Sequence, residues 1–201
     1  FEDLGFHEPW LVVDVILKKK MPGLGPQSVH HCNPNRSATY VFLAGNRRRW
    51  EFRLKPEDDP IDICRPKNVW SMLNQWIGRD DATLERAIVY TFHSSIAEQW
   101  LKGRLLIAGD AAHQTPPFMG QGMCAGIRDV FNLGWKLDRV FKSHSSEDLL
   151  DTYEIERKPH VKAFIDLTVK MGHLINTTAS SLVSGTVSTT ADEPQKLTPL
   201  R

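Results

Sequence analysis

The chain has 201 residues, of which 41% are hydrophobic, so it is long enough and apolar enough to bury a substantial core. Its 25 basic and 24 acidic residues give a formal net charge of +1, which favours neither nucleic acid nor a membrane surface as a partner. Three scattered cysteines exclude a disulfide framework and a CxxC metal site, so we expect a reducing, cytoplasmic location. No apolar run approaches the roughly 18 residues of a membrane-spanning helix.

The first half of the chain predicts a β-sheet. Trp50 and Phe52 alternate with charged residues, which is typical of a strand with one buried face. Gly45 and Asn46 lie between two such segments and predict a tight hairpin turn. A short helix capped by Asn68 is expected to follow the hairpin. The predicted strands are 10–17, 28–32, 38–44, 48–54 and 87–94, and the predicted helix is 69–77.

Residues 104–108 predict a buried strand that ends in Gly109 and Asp110. A proline-stiffened loop follows, and then a glycine-flanked helix start at 120–122. This order places a carboxylate at the end of a strand and free backbone N–H groups at a helix N-terminus. The first can hold a sugar hydroxyl and the second an electron-rich ligand edge, so the pair fits a nucleotide cofactor.

Helical spacing of apolar residues begins at Met123 and predicts an amphipathic helix. Gly126 and Gly134 lie within it, and their small size permits close approach of a neighbouring element. The apolar positions that define the spacing are Ile127, Val130, Phe131, Leu137 and Phe141.

A second helix is expected to begin near Ser146, because the acidic residues that follow suit the positive end of a helix dipole. Pro159 is expected to kink or break this helix, and helical periodicity resumes over residues 161–174. Residues 176–201 are rich in Ser and Thr and predict a loose tail.

Taken together, these segments resemble the second FAD fingerprint of the aromatic-ring flavoprotein monooxygenases, the p-hydroxybenzoate hydroxylase-like family. The residues that carry the resemblance are 104–113, 117, 120–122, 128–133 and 149–159. Three shorter segments are most similar to the 3-(3-hydroxyphenyl)propionate hydroxylases within that family, namely 8–14, 50–52 and 163–167.

The resemblance implies a fold of the α+β or α/β class. A mainly β substrate-binding domain would occupy residues 1–102. Residues 103–175 would form the C-terminal helical part of a Rossmann-like FAD-binding domain.

The resemblance also implies which residues bind the FAD cofactor. Asp110 matches the aspartate that binds the ribityl chain, and Pro117 matches the loop proline near the flavin ring. The helix start matches the backbone N–H groups that face the pyrimidine edge. Relatives usually carry Asn at position 124, so a side-chain contact there would weaken while a backbone contact would survive. The implied cofactor-binding residues are Asp110, Pro117, Gly120, Gly122, Met123 and Cys124.

The function implied by the resemblance is hydroxylation of a small phenolic substrate with FAD, NAD(P)H and dioxygen. No residue is assigned as a catalytic acid or base, no metal is implied, and a homo-oligomeric assembly is left open. Such enzymes also need a GxGxxG turn for the FAD pyrophosphate, and the segment 23–28 lacks its third glycine. Because the chain starts at Phe1 without that turn, we expect a fragment that lacks the N-terminal FAD-binding part.

Two alternatives remain open. The first is a non-catalytic remnant or interaction module that cannot bind FAD alone. The second is a related flavoenzyme with another substrate, such as a halogenated phenol or a polyketide.

Several polar residues receive structural interpretations. His113 matches a histidine of the fingerprint, and a structural role near the cofactor loop is favoured over acid–base catalysis. His30, His31 and Cys32 are adjacent on a strand, so their side chains alternate between faces and do not converge on one ion. Arg128 and Asp129 are expected on the polar side of their helix or in contact with a neighbour. Packing and hydrogen-bonding roles are expected for Tyr153, Glu156 and Arg157.

Overall fold

The computed structural model describes residues 1–33 and 35–181, with side chains to residue 176. Its described strands are β1 (Glu2–Leu17), β2 (Val29–His31), β3 (Ala38–Phe42), β4 (Arg47–Arg53), β5 (Ala82–Ile96), β6 (Leu101–Lys102), β7 (Leu105–Leu106) and β8 (His113–Gln114). Its α-helices are α1 (Pro66–Leu73), α2 (Gly122–Phe141) and α3 (Asp151–Ser181). Short 3₁₀ turns occur at Asp62–Cys64, Gly109–Ala111, Pro117–Met119 and Glu147–Leu150.

Six of the strands form one sheet in the order β2-β3-β4-β1-β5-β8, and each neighbouring pair is antiparallel. Strands β6 and β7 form a separate antiparallel pair. The mixed α/β architecture confirms the predicted fold class. The predicted hairpin is present between β3 and β4, and Gly45 adopts the left-handed backbone conformation that its turn requires (φ +64°).

The larger hydrophobic core lies on one face of this sheet, beneath α1. Alternate residues of β1 and β4 point into it, and Val69 and Leu73 of α1 cover them. Helix α1 differs from its prediction because it begins at Pro66 after Arg65, which makes no side-chain cap. Asn68 therefore lies inside the helix, where its amide donates to the backbone and carboxylate of Asp62 instead of capping the N-terminus.

The predicted buried strand at 104–108 is wrong in extent and in burial. Only Leu105 and Leu106 form strand β7, and Leu105 is 75% exposed. Its one partner in the described part of the chain is β6. Leu106, Ile107 and Ala108 are half-buried against the cluster that contains Trp100 and Tyr153, so the described neighbours cover this segment only in part.

Helix α2 is present as predicted, but much of its apolar face is open. Ile127, Val130 and Phe131 are exposed, with Phe131 at 80%, and no described element packs over them. Periodicity predicts which residues share a face, and tertiary contacts decide whether that face is buried. On the same helix Gly126 does approach a neighbour, whereas a Cβ at Gly134 would meet nothing within 4 Å.

Helix α3 runs without a break through Pro159, contrary to the prediction that proline would interrupt it. Pro159 and Ile155 are both on the exposed side of the helix, so water can satisfy the carbonyl that loses its partner. The helix also continues through residues 176–181, which were predicted as loose tail, because Ile175 and Asn176 are held against the sheet. Residues 182–201 lie outside the described residues.

The start of the second helical region agrees with its prediction, since the Ser146 hydroxyl accepts a hydrogen bond from the Asp148 N–H. None of the helices in the described ranges combines the length and the hydropathy that a bilayer-spanning segment needs.

Candidate functional site

The end of strand β7 leads into a 3₁₀ turn that presents Asp110. Gly109 opens this turn in the left-handed conformation, with φ of +58°. The Asp110 carboxylate is exposed, and no described residue donates a hydrogen bond to it. The turn therefore leaves a free carboxylate available to a ligand hydroxyl.

The first turn of α2 provides a row of free backbone donors. The helix begins at Gly122 after Gln121, and no side chain caps it. An α-helix has no internal acceptor for its first N–H groups, so those of Gly122, Met123 and Cys124 remain available. A Cβ placed on Gly120 or Gly122 would meet no atom within 4 Å, which shows open space beside this turn.

The carboxylate turn and the helix start are held together by two glycines. A Cβ on Gly126 would lie 3.3 Å from the Gly109 Cα, and one on Gly109 would lie 3.6 Å from the Gly126 Cα. The 3.3 Å contact is tighter than most Cβ contacts, so the approach favours glycine at position 126, while position 109 needs glycine for its left-handed backbone. The predicted cofactor positions on the turn and on the helix are thereby brought to one place.

Buried Asp129 of α2 holds the carboxylate turn and the helix start in place. Its buried carboxylate accepts hydrogen bonds from the Gly109 N–H at 3.1 Å, from His113 Nε2 at 2.7 Å and from Arg157 Nε at 2.9 Å. Burial acts to raise the pKa of Asp129, but the donors His113, Arg157 and Gly109 outweigh it and hold that pKa below its usual range. One carboxylate thus joins the strand end, the following strand, α2 and α3.

His113 has the surroundings of a structural residue. It is buried, it donates to Asp129, and its ring lies 5.5 Å from that of Trp100. The Tyr153 ring also packs against Trp100, with 5.6 Å between ring centroids, and its hydroxyl donates to the Ile107 carbonyl at 3.0 Å. Burial raises the Tyr153 pKa. His113 and Tyr153 therefore support the turn that presents Asp110, and both are buried.

The loop between β8 and α2 is anchored to the sheet through Phe118. Pro117 starts a 3₁₀ turn that ends at Gly120, which adopts φ of +61°. Phe118 in this turn is buried, and its ring lies 5.6 Å from that of Phe6 and 5.7 Å from that of Trp10. The loop therefore lies over the sheet face opposite α1, and the predicted loop position borders both the helix start and the sheet.

Gly172 of α3 was not singled out from the sequence, yet it makes room for Phe118. A Cβ there would lie 2.5 Å from the ring. The available signal was a glycine inside a helical pattern, which costs about 1 kcal/mol relative to alanine and usually marks close packing.

The histidine pair on β2 points to opposite faces, as predicted. The His30 imidazole is 2.9 Å from the Thr39 hydroxyl, whereas the His31 ring packs against Trp76. The described residues contain no group of three or more His, Cys, Asp or Glu side chains arranged to hold a metal ion.

Comparison with known proteins identifies the family to which this architecture belongs. The FAD binding domain family model matches residues 5–168, and the chain belongs to that family. It is 41% identical to a probable NADH-specific resorcinol 4-hydroxylase of Rhodococcus jostii (strain RHA1), over 86% of this chain and 32% of that protein. It is 40% identical to a 3-(3-hydroxy-phenyl)propionate/3-hydroxycinnamic acid hydroxylase of Burkholderia vietnamiensis (strain G4 / LMG 22486), over 85% of this chain and 31% of that protein.

Solved structures show the same fold. The OxyS anhydrotetracycline hydroxylase from Streptomyces rimosus matches with a TM-score of 0.69 and 27% identity, over 92% of this chain and 37% of that one. Aklavinone-11 hydroxylase, solved with FAD and aklavinone, matches with a TM-score of 0.76 and 23% identity, over 87% and 34%. The predicted family and the FAD cofactor are confirmed, and the chain spans about a third of the length of the curated relatives it matches.

Proposed function

We propose that the gene product carrying this chain is a flavin-dependent monooxygenase that hydroxylates a small phenolic compound with NADH or NADPH and dioxygen. The observation that carries the proposal is the joining of the Asp110 turn to the open helix start through Gly109 and Gly126. The names of its relatives, which include resorcinol and hydroxyphenylpropionate hydroxylases, support the substrate class.

In this proposal the chain supplies the flavin-ring end of the cofactor site. Asp110 binds a ribityl hydroxyl, and the loop from Pro117 to Gly120 borders the ring. The N–H groups of Gly122, Met123 and Cys124 face the electron-rich pyrimidine edge, where a helix N-terminus stabilises negative charge. FAD, when bound, supplies the redox chemistry that the side chains of this chain lack.

The sheet then positions the aromatic substrate. Phe118 fixes the cofactor loop against Trp10 and Phe92, which lie on the sheet face opposite α1. A rigid aromatic contact of this kind sets the distance between loop and sheet, and it excludes water from the space beneath the loop. No described side chain is assigned as a catalytic acid or base. In this proposal the residues of the chain bind the cofactor and orient the substrate.

The test is a substitution of the free carboxylate. Asp110→Ala in the gene product should lower the affinity for FAD roughly tenfold to hundredfold, because one hydrogen bond to a charged group is lost. Thermal unfolding of the flavin-free protein should be unchanged, since Asp110 has no partner in the described chain. Asp80→Ala removes an exposed aspartate from a remote turn and should leave FAD affinity unchanged.

Substrate is tested separately, by following NADH and NADPH oxidation by the flavin-loaded protein with a panel of phenols. A gene product that binds no FAD would refute the proposal. One that binds FAD but oxidises neither nucleotide with any phenol would refute the substrate class alone.

A second function is favoured by the open apolar face of α2 around Phe131, and the segment 23–28, which lacks the third glycine of a GxGxxG turn, predicts weak binding of the FAD pyrophosphate. We propose that the 201-residue chain by itself is a non-catalytic module that binds little or no FAD. The flavin absorbance of the purified chain is the measurement. A stoichiometric flavin spectrum would contradict this second proposal and favour the first for the chain alone.

A further inference from the structure

One row of paired residues crosses the sheet on the face opposite α1. The register fixes it, because Val12 pairs with Glu51 on one side and with Ile88 on the other. Directly paired residues of antiparallel strands share a face. The members of the row, from the edge strand inward, are His30, Thr39, Glu51, Val12 and Ile88.

Glu51 is the one carboxylate of this row, and it lacks hydrogen-bond donors. Its side chain is only 14% exposed, and its nearest cation, Arg49, lies 3.9 Å away. The Arg49 guanidinium already donates to Asp14 at 2.7 and 3.1 Å. No residue in the described ranges donates a hydrogen bond to Glu51.

The electrostatics agree with the geometry. Burial raises the pKa of Glu51, Arg49 opposes this rise, and Asp14 adds to it. Asp14, in contrast, has its pKa lowered, because the hydrogen bonds from Arg49 and Arg86 outweigh its burial. A carboxylate that is largely shielded from water and receives no hydrogen bond from the described residues is stabilised by a donor that a ligand brings.

The row lies next to the cofactor loop. His30, at one end of the row, makes a hydrogen bond to the Phe118 backbone that partly offsets the lowering of its pKa by burial. Trp10, which packs against Phe118, is two residues from Val12 and thus about 7 Å along the strand. Ile88, at the inner end of the row, and Tyr90, two residues further along β5, are 40% and 42% exposed and offer side-chain surface on which an aromatic ring can lie.

We propose that Glu51 binds the hydroxyl group of the aromatic substrate, with the ring lying across Ile88 and Tyr90 beside the loop that contains Phe118. This inference deepens the proposed function and rests on it. The carboxylate accepts a charge-assisted hydrogen bond from the phenol O–H, which orients the ring and increases its electron density. A site of this kind discriminates against an analogue without the O–H, because the largely buried carboxylate then receives no hydrogen bond from the ligand.

The experiment compares a phenol with its methyl ether in the flavin-loaded gene product. Dissociation constants are measured by calorimetry for 3-(3-hydroxyphenyl)propionate and 3-(3-methoxyphenyl)propionate, and for resorcinol and 1,3-dimethoxybenzene. The unsubstituted protein should prefer each phenol, and Glu51→Gln should weaken phenol binding about tenfold to hundredfold while leaving ether binding nearly unchanged. Glu51→Asp, which retains the charge, should keep most of the preference.

Glu85→Gln is the matched control, because Glu85 is a carboxylate of the same sheet that pairs with exposed Arg47. It should change neither affinity. Thermal unfolding and FAD content of every variant show whether it folds, and Glu51→Asp provides the comparison if Glu51→Gln does not. Flavin-loaded protein in which Glu51→Gln keeps the full phenol preference overturns the inference alone. Protein that binds no FAD overturns the proposed function and the inference together.

Discussion

Gly172 of α3 lies directly against the ring of Phe118, so closely that a Cβ would come within 2.5 Å of Cε2 and 2.8 Å of Cδ2. This contact seats the cofactor loop on the same helix that carries Arg157. The absence of a side chain at this glycine thus lets a loop some fifty residues earlier in the sequence pack against the helix.

Gly172→Ala should destabilise the chain by about 1–3 kcal/mol, because the methyl group overpacks a buried aromatic ring. Gly134→Ala is the control, since a Cβ there meets nothing within 4 Å and alanine gains up to about 1 kcal/mol of helix propensity. Urea unfolding followed by circular dichroism measures both. Equal stability changes for the two variants would contradict the packing that we describe.

Asp129→Asn should destabilise the chain by about 3–5 kcal/mol, because it leaves the buried Arg157 guanidinium without its charge partner and disturbs the bond to His113. Asp138→Asn on the same helix removes an exposed aspartate that pairs with Lys142, and it should leave the unfolding midpoint within error. Urea titrations at neutral pH test the pair. A small effect of Asp129→Asn would show that the network contributes little.

The same carboxylate predicts a pH dependence. The pKa of Asp129 is lower in the folded chain than in the unfolded one, so the folded state gains stability above the unfolded pKa of about 3.9. This contribution is lost as the pH falls through the depressed folded value. Thermal melts from neutral pH down to about pH 3 should therefore fall less steeply for Asp129→Asn than for the unsubstituted chain. Parallel curves would refute the prediction.

Gly109→Ala should separate stability from cofactor binding. Gly109 and Gly103 have nearly the same left-handed backbone, with φ of +58° and +57°, so alanine at either should cost about 1–2 kcal/mol. Only Gly109 touches Gly126 and the Asp110 turn. In the gene product, FAD affinity should fall for Gly109→Ala and remain for Gly103→Ala. If both variants lost FAD binding, the loss would be due to general destabilisation and not to the contact between Gly109 and Gly126.

The parts of the fold that depend on local pattern were predictable from the sequence. The hairpin at Gly45, the alternation of β4, the start of α2 and the Ser146 cap all follow from residue type and spacing. The fingerprint around Asp110 also indicated the family, because its residues are specific in combination. The domain division, the oligomeric state and the cytoplasmic location stay predictions.

The features that could not be predicted from the sequence depend on contacts between distant segments. The exposure of Leu105 and of the apolar face of α2 reflects which elements lie nearby, and periodicity carries no such information. The continuity of α3 through Pro159 depends on that residue being on the exposed side. Glu51 receives no hydrogen bond from the described residues because Arg49 donates to Asp14, and that arrangement depends on three strands in register.

Helix α3 contacts the Asp129 network through Arg157 and the cofactor loop through Gly172, and these two positions are about 22 Å apart on its axis. The carboxylate turn and the cofactor loop are therefore both held by one helix. The rise of an α-helix sets the distance between their contact points, and a bend in α3 would move the loop and the turn relative to each other. Substitutions along its buried side, far from any ligand, would then act on cofactor binding through alignment.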